Sequence, residues 1–213
     1  PLLPRPILFD YYHEVPTVKQ HTALVLRHIK EIFYGGAAGG GKSEWLLQDA
    51  LQYVDMPGYS ALIIRKSYTD LAMPGALLDR SHKILGQNKK VSWNGDLKRW
   101  TFPSGATISF GHLAFDKDLD KFQGSELQFV GFDEAAQLQP NQLLYLFSRL
   151  RRNDTLTKMG VPIRMRMASN PGGPSHQFLK ERYVDLGGPY TKDGGRIFIP
   201  SGLADNKHVN RQE

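Results

Sequence analysis

The sequence has no cysteine and no long run of apolar residues. Without cysteine, disulfide bonds and thiolate metal sites are excluded, and the redox compartment stays open. No stretch approaches the ~20 consecutive apolar residues of a membrane-spanning helix, so we expect no membrane partner. The first residues, PLLPRP, have neither the apolar core nor the cleavage site of a signal peptide, so we expect none.

The chain does have enough apolar residues for a folded core. Its 213 residues are 40% hydrophobic and 11% aromatic, which argues against disorder and fits one α/β domain. The 27 basic and 21 acidic residues give a formal net charge of +6. This excess is compatible with a polyanionic partner but does not by itself identify one.

A glycine-rich segment at 36–43 fits the phosphate-loop pattern G-x-x-x-x-G-K-[ST] at every fixed position. The apolar run 32–34 before it predicts a short buried strand, and the periodicity of 43–54 predicts a helix. Glycines let backbone N–H groups converge on phosphates, and the helix N-terminus adds further donors. The segment therefore predicts a nucleotide site formed by Gly36, Ala37, Ala38, Gly39, Gly40, Gly41, Lys42 and Ser43.

Two adjacent acids end a second, mostly apolar strand predicted over 127–134, about ninety residues after the phosphate loop. In such a site Lys42 reaches the β and γ phosphates and Ser43 is a Mg²⁺ ligand. An acid at a strand end beside the loop can hold the Mg²⁺ shell, which suggests Asp133. The neighbouring Glu134 can orient and deprotonate an attacking water. Consecutive strand residues point to opposite faces, so the two carboxylates can take separate roles.

A third strand, predicted over 161–168, ends in the polar pair Ser169 and Asn170, followed by Pro-Gly-Gly. A polar pair at a strand end can sense the γ-phosphate or its water. The same residues can equally form a turn with an Asx cap.

Gln20 lies sixteen residues before Gly36, in a segment where Thr17 is a suitable helix N-cap. Its amide offers both a donor and an acceptor, which is what reading an adenine requires. The spacing alone favours the simpler interpretation, a glutamine on the surface of a helix.

The remaining pattern predicts an alternating α/β chain. Residues 91–113 read as short antiparallel strands inserted at the sheet edge. Trp93 and Trp100 in that insertion can pack in the core or stack on bases, and we favour the core. The cations at 65–66 follow a strand end and can contact a phosphate or simply be solvated. Further helices are predicted over 21–32, 76–85, 140–152 and 175–186, further strands over 60–66 and 196–199, an irregular start over 1–15, and a charged loop over 116–121.

In this order the motifs resemble the ATPase motor of the large terminase subunit of tailed bacteriophages, which packages DNA. The phosphate loop and the Asp-Glu pair occur in many ATPases, but their combination with Ser-Asn-Pro-Gly-Gly is more specific. The resemblance is carried by residues 16–20, 36–43, 65–67, 102–105, 123–124, 132–135, 148–151 and 169–173.

The resemblance implies a P-loop NTPase fold of the additional-strand, catalytic-Glu type, an α/β fold with a mainly parallel sheet flanked by helices and a small antiparallel β insertion. The strand before Ser169 would then lie between the phosphate-loop strand and the Asp133 strand. It implies ATP and Mg²⁺ as cofactors, with Glu134 as the catalytic base. Ser169 and Asn170 would couple hydrolysis to movement, and Gln20 would read the adenine.

The resemblance also implies partners: double-stranded DNA, the portal protein and the small terminase subunit, with self-association into a ring at the procapsid portal in the host-cell cytoplasm. In such a ring a neighbouring subunit supplies an arginine finger. Some branches of the family place that arginine just before the glycine that precedes the Asp-Glu strand, where this chain has Gln123. We predict that Arg149 takes its place, in preference to Arg151 or Arg152.

The resemblance further implies a C-terminal nuclease domain with clustered acids, which this sequence lacks. We therefore expect residues 1–200 to form the ATPase domain, residues 201–213 to be a linker towards that domain, and this chain to have no nuclease activity. Three other functions stay open: a helicase-like or recombination ATPase, a small-molecule kinase, and a nucleotide-binding assembly module. The adjacent acids at 133–134 favour water activation over transfer to a small substrate.

Overall fold

The computed structural model of the chain describes residues 3–37, 39–185, 195–202 and 205. In these ranges the strands are β1 (Glu31–Gly36), β2 (Ser60–Arg65), β3 (Ser92–Asn94), β4 (Arg99–Thr101), β5 (Thr107–His112), β6 (Phe129–Asp133), β7 (Arg164–Ser169) and β8 (Arg196–Ser201). The α-helices are α1 (Ile7–Tyr11), α2 (Val18–Val25), α3 (Lys42–Leu51), α4 (Tyr68–Ala72), α5 (Leu77–Leu85), α6 (Pro140–Phe147), α7 (Asp154–Lys158) and α8 (His176–Lys180). Two 3₁₀ helices cover Asp116–Phe122 and Ala135–Gln137, and a π-helical turn covers Glu181–Asp185.

One sheet unites these strands in the order β3-β4-β5-β2-β6-β7-β1-β8. In this sheet order, every neighbouring pair from β5 onwards, through β2, β6, β7 and β1 to β8, is parallel. Strand β7 lies between β6 and β1, which confirms the predicted additional-strand order. Because parallel strands end at one edge of the sheet, the C-terminal ends of β1, β6 and β7 meet there, which is where ligands bind in open α/β sheets.

The parallel strands are apolar on both faces because each face is covered. Ile32, Tyr34 and Ile63 belong to the core under α1, α2, α3 and α5, whereas Phe33 and Leu62 belong to the core on the side of α6 and α8. Alternate residues of the same strand thus enter different cores. This arrangement explains the continuous apolar runs that predicted buried strands.

The predicted β insertion is confirmed at the sheet edge. Strand β4 pairs antiparallel with β3 on one side and with β5 on the other, and β5 joins the parallel sheet beside β2. Trp100 is buried, and the ring centre of Trp93 lies 5.0 Å from it. Both side chains pack within the fold, as the favoured interpretation predicted.

Several predicted helix bounds were wrong. The helix predicted over 21–32 is α2, which begins earlier because Thr17 and Gln20 form a capping box, and Ile32 belongs to β1. The helix predicted over 140–152 ends at Phe147, since the following residues run beside the chain that leads into β6: Leu127 donates to the carbonyl of Arg149 at 3.2 Å.

Smaller differences concern short elements. The helix predicted over 43–54 ends at Leu51, and the strand predicted from residue 161 begins at Arg164. The irregular segment 1–15 contains α1, and the charged loop 116–121 is a 3₁₀ helix. The helix predicted over 175–186 is α8 followed by the π-helical turn, and residue 186 lies outside the described residues.

The predicted linker over 201–213 falls mostly outside the described residues. Ser201, its first residue, is the last residue of β8. The division into an ATPase domain and a linker therefore stays a prediction. Among the helices described, none is long and apolar enough to cross a membrane.

Candidate nucleotide-binding site

The phosphate loop joins the end of β1 to the start of α3, as predicted. Its glycines are required at two points. Gly36 has φ +141°, and a Cβ there would lie 1.8 Å from the carbonyl oxygen of Ser201 on the neighbouring strand β8. Gly41 has φ +72° and caps α3 in the left-handed conformation that glycine adopts without strain. Ala38 lies outside the described residues.

The Lys42 side chain folds back over the loop. Its Nζ donates to the carbonyl oxygen of Ala37 at 2.6 Å and approaches that of Gly36 at 3.5 Å. Burial lowers the pKa of Lys42, and the nearby carboxylates of Glu134 and Asp133 oppose that shift. The ammonium group therefore lies over the loop, bonded to neutral carbonyls that the oxygens of a phosphate can replace.

Ser43 and Asp133 meet across the sheet edge. The Ser43 hydroxyl donates to Asp133 Oδ1 at 2.7 Å. The other oxygen, Oδ2, is buried without a hydrogen bond and lies 3.2 Å from Nη1 of Arg65. Burial raises the pKa of Asp133, while Arg65 and the Ser43 hydroxyl oppose the rise.

These two side chains fit a magnesium ion. A hydroxyl and a buried carboxylate with one oxygen that makes no hydrogen bond are hard oxygen donors, the type that Mg²⁺ prefers. Within the described ranges no group of three or more His, Asp or Glu side chains could hold a metal by itself. Mg²⁺ at this place would depend on substrate phosphates and water for its remaining ligands, which is its usual coordination in nucleotide sites.

Glu134 contacts Asn170, the second residue of the polar pair predicted at the end of the third strand. It has φ +52°, uncommon for a residue with a side chain, and its carboxylate oxygens lie 3.4 Å from Nδ2 and 3.5 Å from the backbone nitrogen of Asn170. Ser169 is buried and its hydroxyl accepts from the backbone nitrogen of Ala136 at 3.1 Å. The ends of β6 and β7 are thus tied to each other, and Asn170 contacts Glu134.

One cavity of about 200 Å³ lies between the phosphate loop, Glu134 and Asn170. The lining residues are Gly39, Gly40, Gly41, Lys42, Ser43, Glu44, Arg80, Glu134 and Asn170.

Gln20 is buried beside this cavity. Its Oε1 accepts from the backbone nitrogen of Thr17 at 2.8 Å, and its Nε2 donates to the carbonyl of Gly41 at 2.8 Å. The surface position favoured by spacing was wrong, because the amide ties the start of α2 to the phosphate loop. Its role as an adenine reader stays a prediction.

Arg149 lies away from the cavity. It follows α6 at the end of the sheet where β6 begins, donates to the hydroxyl of its neighbour Ser148, and has its guanidinium 5.0 Å from the ring centre of Tyr145. The fold does not bring Arg149 to the phosphate loop of its own chain. A role in a neighbouring subunit stays a prediction.

The sequence missed two residues of the cavity wall, Arg80 and Glu44. Their side chains form an ion pair of 2.8 Å between α5 and α3. No motif marks either residue, because their positions depend on how two helices pack. Arg65 carried a signal, as a cation at a strand end, and it contacts Asp133.

Comparison with known proteins agrees with this geometry. Residues 33–180 match the family model described as terminase large subunit, T4likevirus-type, N-terminal. Comparison with curated protein sequences gives no significant match.

Solved structures share the fold. The large terminase of a thermophilic bacteriophage in complex with ADP has a TM-score of 0.69 at 17% identity, over 92% of this chain and 48% of that one. A variant of the large terminase ATPase domain from Thermus phage P74-26 has 0.62 at 16%, over 96% and 88%. The N-terminal domain of the DNA packaging ATPase from bacteriophage phi29 has 0.59 at 16%, over 86% and 96%. The chain spans about half the length of the first of these proteins.

Proposed function

This chain belongs to the family of terminase large subunits, and we propose that it is a Mg²⁺-dependent ATPase that drives double-stranded DNA into a viral procapsid. The observation that carries the proposal is the arrangement of Glu134. Its carboxylate borders the phosphate-loop cavity and is hydrogen-bonded to Asn170 at the end of the adjacent strand. The proposed general base, Glu134, thus contacts the end of β7, the strand that would respond to hydrolysis.

The proposed chemistry rests on the positions of the side chains. Lys42 and the backbone of the phosphate loop would bind the phosphates, while Ser43 and Asp133 would hold Mg²⁺, which would supply positive charge at the phosphates. Glu134 accepts a proton from the water that attacks the γ-phosphorus, while the bond from that phosphorus to the β,γ-bridging oxygen breaks and ADP leaves. Asp133 is not available as the base for this water, because its carboxylate is buried and hydrogen-bonded to Ser43.

Coupling to movement would run through β7. Asn170 contacts the carboxylate of Glu134, and the Ser169 hydroxyl accepts a hydrogen bond from the backbone nitrogen of Ala136, two residues after Glu134. A change in the position of Glu134 between ATP and ADP would therefore alter the end of this strand. Gln20 would read the adenine, and its hydrogen bond to the carbonyl of Gly41 would connect the adenine to the phosphate loop.

We base the proposed assembly on the family to which the chain belongs. We propose residues 1–200 as the motor domain and residues 201–213 as the linker to a nuclease domain, with no nuclease activity in this chain. The partners would be double-stranded DNA, the portal protein and the small terminase subunit, at the procapsid portal in the host cytoplasm. In the ring, Arg149 would act on the site of the next subunit. A finger acting in trans would make the isolated chain slow, since such an arginine contributes about 10³–10⁵-fold to turnover.

The proposal is tested by replacing Glu134 with glutamine. The variant should bind Mg-ATP with the affinity of the unmodified chain, because glutamine keeps the size of the side chain and a hydrogen bond to Asn170. Its hydrolysis should fall by about 100-fold or more, since the loss of a general base costs about 10²–10⁴-fold.

The matched control is Glu126→Gln, a glutamate paired with Arg151 at 3.4 Å on the surface. It should hydrolyse ATP at the unmodified rate. Equal hydrolysis by both variants would show that Glu134 is not the base. A chain that binds ATP but never hydrolyses it, with or without DNA, would instead be a nucleotide-binding module.

A further inference from the structure

The cavity wall contains one arginine that the proposed function does not use. Arg80 lies on α5, and its side chain lines the same cavity as Lys42, Glu134 and Asn170. Among the hydrogen bonds of the described residues, its Nη1 donates to Glu44 Oε2 at 2.8 Å and its Nε to the carbonyl of Gly75 at 2.6 Å. A guanidinium has five N–H donors, so these bonds leave donors for a ligand. The side chain is 43% exposed, which leaves it open to the cavity.

Glu44 holds Arg80 at the start of the phosphate-loop helix. It directly follows Ser43, and its carboxylate offers two anionic oxygens at the rim of the phosphate site. A terminal phosphate also presents anionic oxygens, with more charge, and arginine can bind two oxygens of either group in a bidentate manner. The pair is therefore suited to exchange, with the phosphate taking over the Nη1 donor that Glu44 now occupies.

The backbone that carries Arg80 is firmly held. Trp100 Nε1 donates to the hydroxyl of Ser81 at 3.0 Å, and the ring of His82 packs 4.7 Å from Trp93 and 5.0 Å from Trp100. Asp79 accepts from the backbone nitrogen of Gly75 at 2.7 Å, which fixes the turn that receives Arg80 Nε. The β insertion thus supports α5 and positions one arginine at the site.

Arg80 lines the same cavity as Lys42 and Glu134. The γ-phosphate would lie between Lys42 and Glu134, within this cavity.

We propose that Arg80 contacts the γ-phosphate of ATP in its own subunit, and that Glu44 holds it in place when no γ-phosphate is bound. The contact is additional to any arginine supplied by a neighbour. It stabilises the charge on the phosphoryl group that is transferred, and it lets the site distinguish ATP from ADP. The inference depends on the proposed nucleotide site.

The test compares the affinities for ADP and for a non-hydrolysable ATP analogue, both with Mg²⁺. Arg80→Gln should weaken binding of the analogue by about 10- to 100-fold, the range for a hydrogen bond to a charged group. Binding of ADP should change by less than about twofold, since ADP lacks the phosphate that is contacted. Arg80→Lys should lie between, because lysine keeps the charge but loses the bidentate geometry.

Glu44→Gln separates a phosphate contact from a structural brace. If the ion pair only joined α5 to α3, Glu44→Gln and Arg80→Gln would weaken nucleotide binding alike. The proposal instead requires Glu44→Gln to bind the analogue at least as tightly as the unmodified chain, because Arg80 is released towards the phosphate. Lys83→Gln, an exposed position on the same helix paired with Asp79, is the control and should change neither affinity.

Three results would overturn the proposal. Arg80→Gln would leave the affinity for the analogue unchanged, or it would weaken ADP and the analogue equally, or Glu44→Gln would reproduce its effect. These results concern Arg80 alone if the unmodified chain binds and hydrolyses ATP. If the unmodified chain binds neither nucleotide, the proposed function fails, and the proposal for Arg80 fails with it.

Discussion

Replacing Asp49 by asparagine is expected to lower the free energy of unfolding by about 3–5 kcal/mol. Asp49 lies on α3 and is fully buried against two fully buried arginines of β7. Its Oδ1 accepts from Nη1 of Arg164 at 2.5 Å, and its Oδ2 accepts from Nε of Arg166. Asparagine would leave two guanidinium groups buried without a counter-charge, because arginine does not lose its proton in proteins.

The magnitude follows from what each arginine loses and keeps. A charge pair 4 Å apart is worth about 4 kcal/mol at an effective dielectric constant of 20, and Asp49 makes two such pairs. Contacts that remain limit the loss: Arg166 also donates to the carbonyls of Ile29 and Met165, and Arg164 donates to the hydroxyl of Tyr59 at 3.1 Å. An amide of the same shape also keeps one acceptor. The expected loss is therefore nearer to one pair than to two.

Urea denaturation followed by circular dichroism measures this change. In a thermal melt of a chain of this size, the same loss should lower the melting temperature by roughly 6–20 °C. Asp55→Asn is the matched control, because Asp55 pairs with Arg5 at 2.6 Å while both side chains remain partly exposed, and its loss should be below about 1 kcal/mol. If Asp49→Asn unfolds within about 1 kcal/mol of the unmodified chain, the argument from the buried counter-charge is refuted.

Two further predictions concern the phosphate site. Without Mg²⁺, Asp133→Asn should raise the melting temperature at about pH 7.5, because burial raises the pKa of Asp133 and makes its ionised form unfavourable in the folded chain. This gain should shrink as the pH falls towards about 4 and vanish below it, because the carboxyl then becomes protonated in the unfolded chain as well as in the folded one. An equal or lower melting temperature at neutral pH would contradict the prediction. Gly36→Ala should destabilise the chain more than Gly58→Ala, as judged by the midpoint of urea denaturation. Both glycines have positive φ, but only at Gly36 would the new Cβ collide with β8. Equal effects would show that β8 moves to make room for the methyl group.

The sequence predicted the parts of the site that are local. The phosphate loop, the acids at the end of β6 and the polar pair at the end of β7 each lie where a predicted strand ends, which is the edge at which parallel strands of one sheet place ligands. The additional-strand order came from the resemblance, since nothing in a strand's own sequence tells which neighbour it pairs with. Gln20 shows the limit of spacing: its buried amide is used by Thr17 and Gly41, a contact that depends on how α2 meets the loop.

Contacts between distant segments could not be predicted. Arg164 and Arg166 alternate with apolar residues, a pattern typical of a strand with one solvated face, yet both are fully buried because Asp49 neutralises part of their charge from another element. Arg80 and Glu44 meet only because α5 packs beside α3. Helix ends depended on similar contacts, as where α6 stops so that residues 148–151 can pair beside β6.

The most direct test of the central claim is the rate of phosphate release by Glu134→Gln relative to the unmodified chain, with both saturated with Mg-ATP. The unmodified chain should release phosphate above background, and the variant should retain about 1% or less of that rate while remaining saturated. Equal rates at equal occupancy would contradict the account, because the cavity would then hydrolyse ATP without the carboxylate on which the proposed mechanism depends.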